Sequence, residues 1–510
     1  MTSAAPALPD DLGQLKAMLI AERTESERLR QIIRELQRHR FGRRAESLPE
    51  DQLQLALEDV EQVEAAGVVE TEEKSVEEKA KRAASRRTNR GALPAYLPRI
   101  ETVVDIESTA CPCCGGALHR IGEDIAERLD MVPARFRVLV VRRPKYGCRA
   151  CEDVVVQAPA PARLIEGGLP TEATVAQVLV SKYADHLPLY RQAQIYARQG
   201  VNLDRSTLAD WVGRAAFHLK PVHERLLERL KASTKLFADE TTAPVLDPGR
   251  GQTKTGQMFA YARDDRPWGG SDPPGVAYVY APDRKAERPI AHLAGFKGVL
   301  QVDGYGGYKV LAERGEVRLA FCWSHVRRRF YELAQAMPSP ISQEALARIA
   351  VLYKIEGEIR GSSAEARRAI RQDKVRLLLE ELETWLRDKL ALLSQKTKLA
   401  EAIRYALSRW AGLGLFIDDG RIEIDNNVVE RAIRPLALTR KNALFAGSDG
   451  GAEHWAVIAS LIETCKLNGV EPYSYLADVL TRIVNGHPQS GLDQLLPWTY
   501  PAGAGIRDVA

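Results

Sequence analysis

The chain has 510 residues, which exceeds the size that one hydrophobic core usually serves and predicts about three or four structural units. Its 72 Lys and Arg nearly balance its 68 Asp and Glu, so the net charge of +4 does not by itself indicate a nucleic-acid partner. No apolar run is long enough to cross a bilayer, which excludes a transmembrane helix, and the first residues do not resemble an export signal. We therefore expect a cytoplasmic chain without a membrane partner.

The N-terminal part of the chain is predicted to contain a helix and a charged arm. Leucines and isoleucines in residues 1–48 fall near heptad spacing, which fits a short coiled coil or equally a lone amphipathic helix. Residues 49–92 are first acidic and then basic, and every charge from Lys79 to Arg90 is positive. Arg86 and Arg87 in this run are candidates for neutralising DNA phosphates, with a solvated linker as the alternative.

Residues 93–160 are predicted to form a zinc-binding domain. Five of the seven cysteines lie there, and four of them form two Cys-x-x-Cys pairs, which is typical of a structural four-sulfur zinc site in a reducing compartment. Cys113 is a spare or competing ligand, and reduced thiols without metal are the alternative. A strand-like segment between the pairs offers Arg142 and Arg143 as DNA contacts. The predicted zinc ligands are Cys111, Cys114, Cys148 and Cys151.

Residues 161–232 are predicted to form a helical DNA-binding region that resembles a helix-turn-helix. PLYRQAQIYARQG and TLADWVGRAAFHL have helical patterns and are joined by the short turn VNLDRS. Such a unit could place its second helix in a DNA major groove. The alternative is an ordinary helical hairpin in which Leu208, Trp211 and Val212 are core residues.

The remaining chain is predicted to form an α/β core that a helical insertion interrupts. Residues 233–337 contain short β-rich segments separated by Gly, Pro and Asp turns, which indicate a mixed sheet. Residues 338–415 are the helical insertion, and residues 416–452 return to the core with another helix. Residues 453–510 contain a helical pair followed, after His487, by a Gly/Pro-rich tail that we expect to be loosely ordered.

Two aspartates follow predicted strands of this core. Asp239 follows the apolar run 235–238 and Asp303 follows 299–302, so neighbouring strands could bring both carboxylates to one edge of the sheet. Each alone is weak evidence, because strands often end in a turn-forming Asp. Carboxylates that hold two divalent cations suit the breaking and joining of phosphodiesters. A third carboxylate would come from the helix IDNNVVERAIRP, where Glu430 is our choice and Asp425, a possible N-cap, stays a rival.

Longer motifs surround these carboxylates and extend into the N-terminal region. They are ADET, QVDGYGGY, CWSHVRRRF, DNNVVERAIRPLALTRKNALFAGSDGGAEHWA, RHRFGRRAE, LPAYLPR, CPCCGG and RPKYGCRACE. Together they resemble the transposase of the insertion sequence 66 family, and the resemblance covers roughly nine-tenths of the chain. It implies a multidomain α+β protein with an RNase H-like core and a DDE triad of Asp239, Asp303 and Glu430. The motif match thus favours Glu430 over Asp425.

The resemblance also implies a function and a set of partners. A DDE transposase binds the terminal inverted repeats of its element, cleaves the strand ends with two Mg²⁺ ions, and joins a 3′-hydroxyl to target DNA. Pairing of two ends indicates a homodimer or larger assembly on bacterial DNA, and accessory proteins of the same element are implied. His325 could orient a phosphate or water, or be structural. Candidate backbone contacts near the core are Arg327, Arg328, Arg329, Arg431 and Arg434.

Two other functions fit the sequence less well. A catalytically silent, zinc-containing DNA-binding protein derived from a transposase would not need Asp239, Asp303 and Glu430. A stand-alone metal-dependent nuclease leaves the basic arm, the zinc domain and the helical hairpin without a purpose. Metal-dependent strand transfer separates the transposase from the silent protein, and joined rather than merely cut DNA separates it from the nuclease.

Overall fold

A computed structural model of the chain describes Cys113 and residues 134–147, 155–247, 249–313, 315–336 and 339–502. The chain divides into two units, Met1–Pro133 and Ala134–Ala510, and every described residue except Cys113 belongs to the second. The predicted N-terminal helix, the basic arm and the zinc site lie outside the described residues. The individual residues concerned are Arg86, Arg87, Cys111, Cys114, Cys148 and Cys151.

The main sheet has five strands in a mixed arrangement. Strands β3 (Lys235–Asp247), β4 (Gln252–Arg263) and β5 (Gly275–Ala281) form an antiparallel meander. Strands β6 (Gly298–Val302) and β7 (Val317–Phe321) continue the sheet in parallel on the other side of β3. The order is therefore β5-β4-β3-β6-β7. A separate antiparallel ribbon consists of β1 (Lys145–Gly147) and β2 (Val155–Gln157). The predicted mixed sheet is confirmed.

The centre of this sheet is covered on both faces. Leu236, Phe237 and Ala238 on β3 are all fully buried, and so is the run from Met258 to Ala262 on the neighbouring strand β4. Continuous apolar runs are typical of strands that pack on both faces. Sequence analysis ended the first strand at Ala238, but β3 continues to Asp247 because β4 pairs with it from Phe237 to that residue.

Helices precede, interrupt and follow the sheet. Those before or within it are α1 (Glu172–Tyr183), α2 (Leu189–Arg198), α3 (Arg205–Lys231), α4 (Glu287–His292), α5 (Lys309–Glu313) and α6 (Trp323–Ala336). The insertion contains α7 (Pro340–Glu358), α8 (Ala364–Ile370), a π-helical turn (Arg371–Val375), α9 (Arg376–Leu392), α10 (Lys398–Leu407), α11 (Trp410–Leu413) and α12 (Leu415–Asp418). The last helices are α13 (Asn427–Ala443), α14 (Asp449–Leu467) and α15 (Pro472–Val484). No helix among the described residues has the length and apolar character needed to cross a membrane.

Two hydrophobic cores organise these elements. The larger joins α1, α3, α13, α14 and α15 to the sheet, and Leu208, Trp211 and Val212 are buried in it, as the core interpretation of the helical hairpin requires. Whether α3 also contacts DNA stays a prediction. The smaller core fills the insertion and includes Trp323 and Phe330 of α6. The insertion thus packs around its own core and against the end of the sheet that carries β7.

Side chains of α14 satisfy the backbone of the edge strand β5. The hydroxyl of Ser460 accepts a hydrogen bond of 2.7 Å from the Tyr278 N–H. Thr464 Oγ1 accepts from the Val276 N–H at 3.1 Å and donates to the Val276 carbonyl at 3.0 Å. An uncovered edge strand is a template for unwanted pairing, and these bonds close it with a helix.

Two expectations about irregular segments are wrong. The described part of the tail after His487 forms two 3-10 turns, Gln489–Leu495 and Pro497–Thr499, because Leu495 fills the core and Asp493 pairs with Arg225 at 2.7 Å; residues 503–510 lie outside the described residues. The strand-like segment between the cysteine pairs forms a strand only at Lys145–Gly147, since only these residues find a pairing partner in β2.

Candidate active site

Asp239 and Asp303 meet in the middle of the main sheet. The parallel register of β3 and β6 aligns Phe237 with Gln301, and each aspartate lies two positions further along its strand direction. Carboxylate oxygens of Asp239, Glu240 and Asp303 all lie within 4.8 Å of one another. The predicted convergence of the two aspartates is therefore present, and a third acidic side chain joins them.

The loop that carries Asp303 is fixed by local hydrogen bonds. Asp303 Oδ1 accepts a hydrogen bond of 2.8 Å from the Tyr305 N–H, which turns the chain directly after β6. Gly304 has a φ of 109°, and a Cβ at this position would lie 2.6 Å from Arg409 Nε. Glycine is favoured here because L side chains rarely adopt this φ and because a side chain would displace that of Arg409.

Glu240 is the residue that the sequence did not point to. Adjacent residues of a strand usually face opposite sides, so a carboxylate next to Asp239 is not expected to share its site. The Glu240 side chain is nevertheless 1% exposed, and it pairs with Arg284 while accepting a hydrogen bond of 3.2 Å from Tyr308 Oη. The ADET motif contains Glu240, but no pattern in the sequence predicts that its side chain lies beside Asp239 and Asp303.

The electrostatics of the site favour a bound cation. Burial, followed by the charges of Asp303, Glu240 and Glu430, raises the pKa of Asp239 well above its usual value. Burial and the charge of Asp303 raise the pKa of Glu240 to about 7, although Arg284 opposes the shift. Like charges in a buried site disfavour ionisation unless positive charge compensates them. The oxygen donors and the excess negative charge fit a hard divalent cation.

The helix that carries Glu430 is tied to the sheet by buried side chains. Gln301 of β6 is fully buried, and its amide nitrogen donates to the carbonyls of Glu423 and Asp425, both at 2.7 Å. Asn426, also fully buried, donates from Nδ2 to the Ala238 carbonyl at 3.2 Å, immediately before Asp239. These bonds fix the start of α13 beside the aspartates.

Glu430 lies next to His325 and Cys322. The His325 Nδ1 atom is 3.7 Å from Glu430 Oε1, and ligand atoms of Cys322, His325 and Glu430 lie within 4.8 Å of one another. The Cys322 thiol accepts a hydrogen bond from the Asn426 N–H at 3.2 Å, and burial raises its pKa well above the usual value. A sulfur, an imidazole and a carboxylate form a softer donor set than the three carboxylates, one that suits a transition metal better than Mg²⁺.

Asp425, the rival third carboxylate, does not cap α13. The helix begins at Asn427 with Asn426 in the cap position, and Asp425 instead accepts from the Asn427 backbone at 3.2 Å and side chain at 2.8 Å. Burial raises its pKa to about 6. Among the described residues, two groups have metal-ligand spacing: one contains Glu430 with Cys322 and His325, the other contains the two aspartates and Glu240 without Glu430, and neither contains Asp425.

The arginines predicted to contact DNA near the core lie on two helices of the site. Arg327, Arg328 and Arg329 are partly buried on α6, where Arg328 pairs with Glu332 at 3.0 Å. Arg431 is exposed and Arg434 partly buried on α13, within one helical turn of Glu430. Arg142 is exposed before β1, and Arg143 donates to the Ala158 carbonyl at 2.8 Å.

Comparison with known families gives this site its context. A family model described as "Transposase IS66 family" matches residues 167–454, which contain the main sheet, the insertion and every residue of the candidate site. The chain belongs to the IS66 transposase family. Further models of this family match residues 460–498, its C-terminal element, and 108–152, its zinc-finger binding domain. A model described as "Transposase C of IS166 homeodomain" matches residues 28–102.

These matches confirm the resemblance seen in the motifs. The zinc-finger match spans all four predicted zinc ligands and supports a structural zinc ion there. Three uncharacterized proteins of Sinorhizobium fredii match nearly the whole chain: y4jD is 46% identical and covers 97% of each sequence. The protein y4qI is 45% identical over 98% of each, and y4hP is 38% identical over 93% of this chain and 88% of its own. Family membership makes DNA the expected partner.

Proposed function

We propose that the chain is a DDE transposase in which Asp239, Asp303 and Glu430 hold two Mg²⁺ ions. The observation that carries the proposal is the convergence of partly buried carboxylates on β3 and directly after β6, with the charge of Glu430 also acting on Asp239. Keeping several neighbouring carboxylates ionised costs free energy unless a cation neutralises their charge. Oxygen donors favour Mg²⁺ as that cation. Bound cations would activate the attacking oxygen and stabilise the leaving oxygen of the phosphodiester.

The surrounding side chains have separate tasks in this proposal. The sheet fixes the spacing of Asp239 and Asp303, because Asp239 lies on β3 and Asp303 directly follows the neighbouring strand β6. Gln301 and Asn426 set the position of the Glu430 helix. His325, 3.7 Å from Glu430 Oε1, acts as a positioning residue that orients this carboxylate. Substituting His325 should therefore weaken the reaction less than substituting Glu430.

We also assign an RNase H-like fold to the core. Three antiparallel strands that continue into two parallel strands, in the order β5-β4-β3-β6-β7, support this assignment. The two aspartates on the central strands and the third carboxylate on a helix beyond the insertion agree with it. The segments proposed for the core are 233–337 and 416–452, with 338–415 as the insertion and 453–510 as the C-terminal region.

The proposed partners are the terminal inverted repeats, target DNA and a second copy of the chain. The basic arm and the zinc domain would bind the element's ends, and accessory proteins of the element would assist. A catalytically silent DNA-binding protein is the second candidate. It is disfavoured by the buried carboxylates, which would destabilise the protein without serving a purpose.

Strand transfer tests the proposal directly. The substrate is a pre-cleaved terminal repeat, and the native chain is compared with Asp303→Asn and with Asp388→Asn, an exposed acid on α9. All three proteins must match in zinc content and in binding of the DNA end. We expect Mg²⁺-dependent joined product from the native chain and from Asp388→Asn, and none from Asp303→Asn.

A second arm removes the dependence on purified components. The same three chains are supplied to cells that carry the rest of the element, and new insertions are counted. Insertions that depend on Asp303 but not on Asp388 support the transposase. Equal insertion frequencies with Asp303→Asn and the native chain would contradict it, and joined DNA that is absent in both arms would favour the silent protein.

A further inference from the structure

We propose that the helical insertion contributes a phosphate-binding site beside Asp303, formed by Arg329 and Arg409 around the ring of Tyr405. The inference rests on the proposed function, because the ligand is a backbone phosphate of the DNA strand that the carboxylates cut or join. It assigns the insertion a direct role in holding that strand. Tyr405 and Arg409 lie in a region that sequence analysis interpreted only as a helical insertion.

The two guanidinium groups stack on one aromatic ring. The Cζ atoms of Arg329 on α6 and Arg409 after α10 are each 3.9 Å from the centroid of the Tyr405 ring. Both guanidinium groups therefore lie against the same tyrosine ring. Cation–π contacts hold both arginines in place and restrict their side-chain freedom.

The stack is connected to the catalytic loop. Tyr405 Oη donates a hydrogen bond of 2.8 Å to the Asp303 carbonyl. Arg409 Nη2 donates to the Gly304 carbonyl at 3.3 Å, and the absence of a side chain at Gly304 permits this approach. The positive charges are therefore next to the carboxylate that we assign to metal binding.

No acidic partner in the described part of the chain neutralises these two arginines. Neither Arg329 nor Arg409 is within 4.0 Å of a carboxylate oxygen there, whereas Arg284 on the other side of the site pairs with Glu240. Arg409 uses three of its five N–H groups on Tyr405, Ser408 and Gly304. Arg329 makes no hydrogen bond to any described residue.

Arg409 Nε is buried, so one Nη2 N–H of Arg409 and the N–H groups of Arg329 are left to bind an anion. Planar guanidinium binds phosphate through paired, charge-assisted hydrogen bonds, and a phosphodiester is the anion that the proposed reaction brings to Asp303. Such a contact positions the strand without reading its sequence. The site should therefore support the binding of any DNA end presented to the core.

The test measures DNA binding without divalent metal, so that it does not depend on the reaction. The probe is a fluorescein-labelled duplex of the terminal repeat with a pre-cleaved 3′ end, titrated by anisotropy between 50 and 200 mM NaCl. The variants are Arg329→Gln and Arg409→Gln, because Gln is polar but carries no charge. The matched control is Arg387→Gln, an exposed arginine of the insertion that pairs with Glu383 at 2.6 Å.

Each active-site variant should weaken binding about tenfold, since hydrogen bonds to charged groups are among the stronger ones. Each should also lower the slope of log K against log salt by about 0.9, the value for one lost phosphate contact. Arg409→Lys keeps a charge and should keep the native slope, and Arg387→Gln should match the native chain. A slope of log K against log salt equal to that of the native chain in both Gln variants would overturn the proposal. Equal losses of DNA affinity in Arg409→Lys and Arg409→Gln would overturn it as well.

The outcomes separate this inference from the proposed function. If the Gln variants show the lower slope of log K against log salt but the native chain never joins DNA, the phosphate site is supported and the proposed transposase chemistry is refuted. If the native chain joins DNA while both Gln variants bind and join as well as it does, the chemistry stands and the phosphate site is refuted. Arg329→Gln guards against misfolding, because Arg329 makes no hydrogen bond within the described residues.

Discussion

Replacing Glu356 with Gln should destabilise the insertion strongly, because this carboxylate neutralises buried arginines. Arg371 is fully buried, and its Nε and Nη2 atoms lie 2.7 and 2.6 Å from the two carboxylate oxygens of Glu356. Arg367, also buried, lies 3.5 Å from Glu356 and pairs with Glu423 at 2.7 Å. Two positive and two negative charges thus balance inside the protein. The substitution leaves one buried positive charge without compensation.

The expected loss is about 3–5 kcal/mol in the free energy of unfolding, the usual cost of breaking a buried ion pair from one side. Glu344→Gln on the same helix is the matched control. Glu344 pairs with Arg348 at 2.8 Å, but its side chain is 48% exposed, so its loss should cost less than about 1 kcal/mol. Urea unfolding followed by tryptophan fluorescence measures both, since Trp323 and Trp410 lie in the insertion core.

A second substitution tests the cause. Adding Arg371→Met to Glu356→Gln removes the uncompensated charge and should recover part of the lost stability, because an apolar side chain can replace a buried ion. Equal losses for Glu356→Gln and Glu344→Gln would refute the argument. So would a double variant that is as unstable as the sum of its two single changes.

Three further predictions concern the site and the sheet. Without metal, the free energy of unfolding should fall by up to about 3 kcal/mol between pH 4.5 and 7, because the pKa of Glu240 is raised from 4.5 in the unfolded chain to about 7 in the folded chain. Urea unfolding at several pH values measures this decline, and Glu240→Gln should flatten it. An unchanged decline in this variant would contradict the assignment. Mg²⁺ at a hundred times its Kd should stabilise the native chain by about 2.7 kcal/mol, measured by thermal unfolding. An equal stabilisation of Asp239→Asn by Mg²⁺ would contradict binding at Asp239. Thr464→Val leaves the buried Val276 N–H and carbonyl without their partner and should lower the free energy of unfolding by about 1–3 kcal/mol in the same assay. Thr384→Val, which removes an exposed hydroxyl, is the control.

The sequence predicts the central carboxylates because their placement follows from local rules. An uninterrupted apolar run predicts a buried strand, and the first acidic residue after each run marks Asp239 and Asp303. Parallel pairing of the two strands then brings the residues together. The choice of Glu430 required the motif resemblance, since the local pattern allowed Asp425 equally. The helical character of the insertion followed from periodicity in the same way.

The features that sequence analysis missed depend on contacts between distant segments. Arg367 and Arg371 lie in the charged stretch AEARRAIRQDK, which has the composition of a solvated helix, yet both are buried against Glu356 and Glu423. Tyr405 reaches the Asp303 carbonyl across about a hundred residues of chain. Charge and periodicity alone do not identify such pairs, because a charged residue is usually exposed unless a partner far along the chain compensates it. The position of the Glu240 side chain likewise depends on contacts with distant segments.

The closure of β5 by α14 has a consequence for the timing of biosynthesis. Ser460 and Thr464 bind the edge of the sheet from a helix that is made long after the strand, and Glu430 follows Asp239 by 191 positions. At typical translation rates of about 5–20 residues per second, the ribosome needs roughly 10–40 seconds to cover that interval. A nascent or truncated chain would therefore expose an open sheet edge and two aspartates without their third partner. The three carboxylates can come together only after the helix that carries Glu430 has been synthesised.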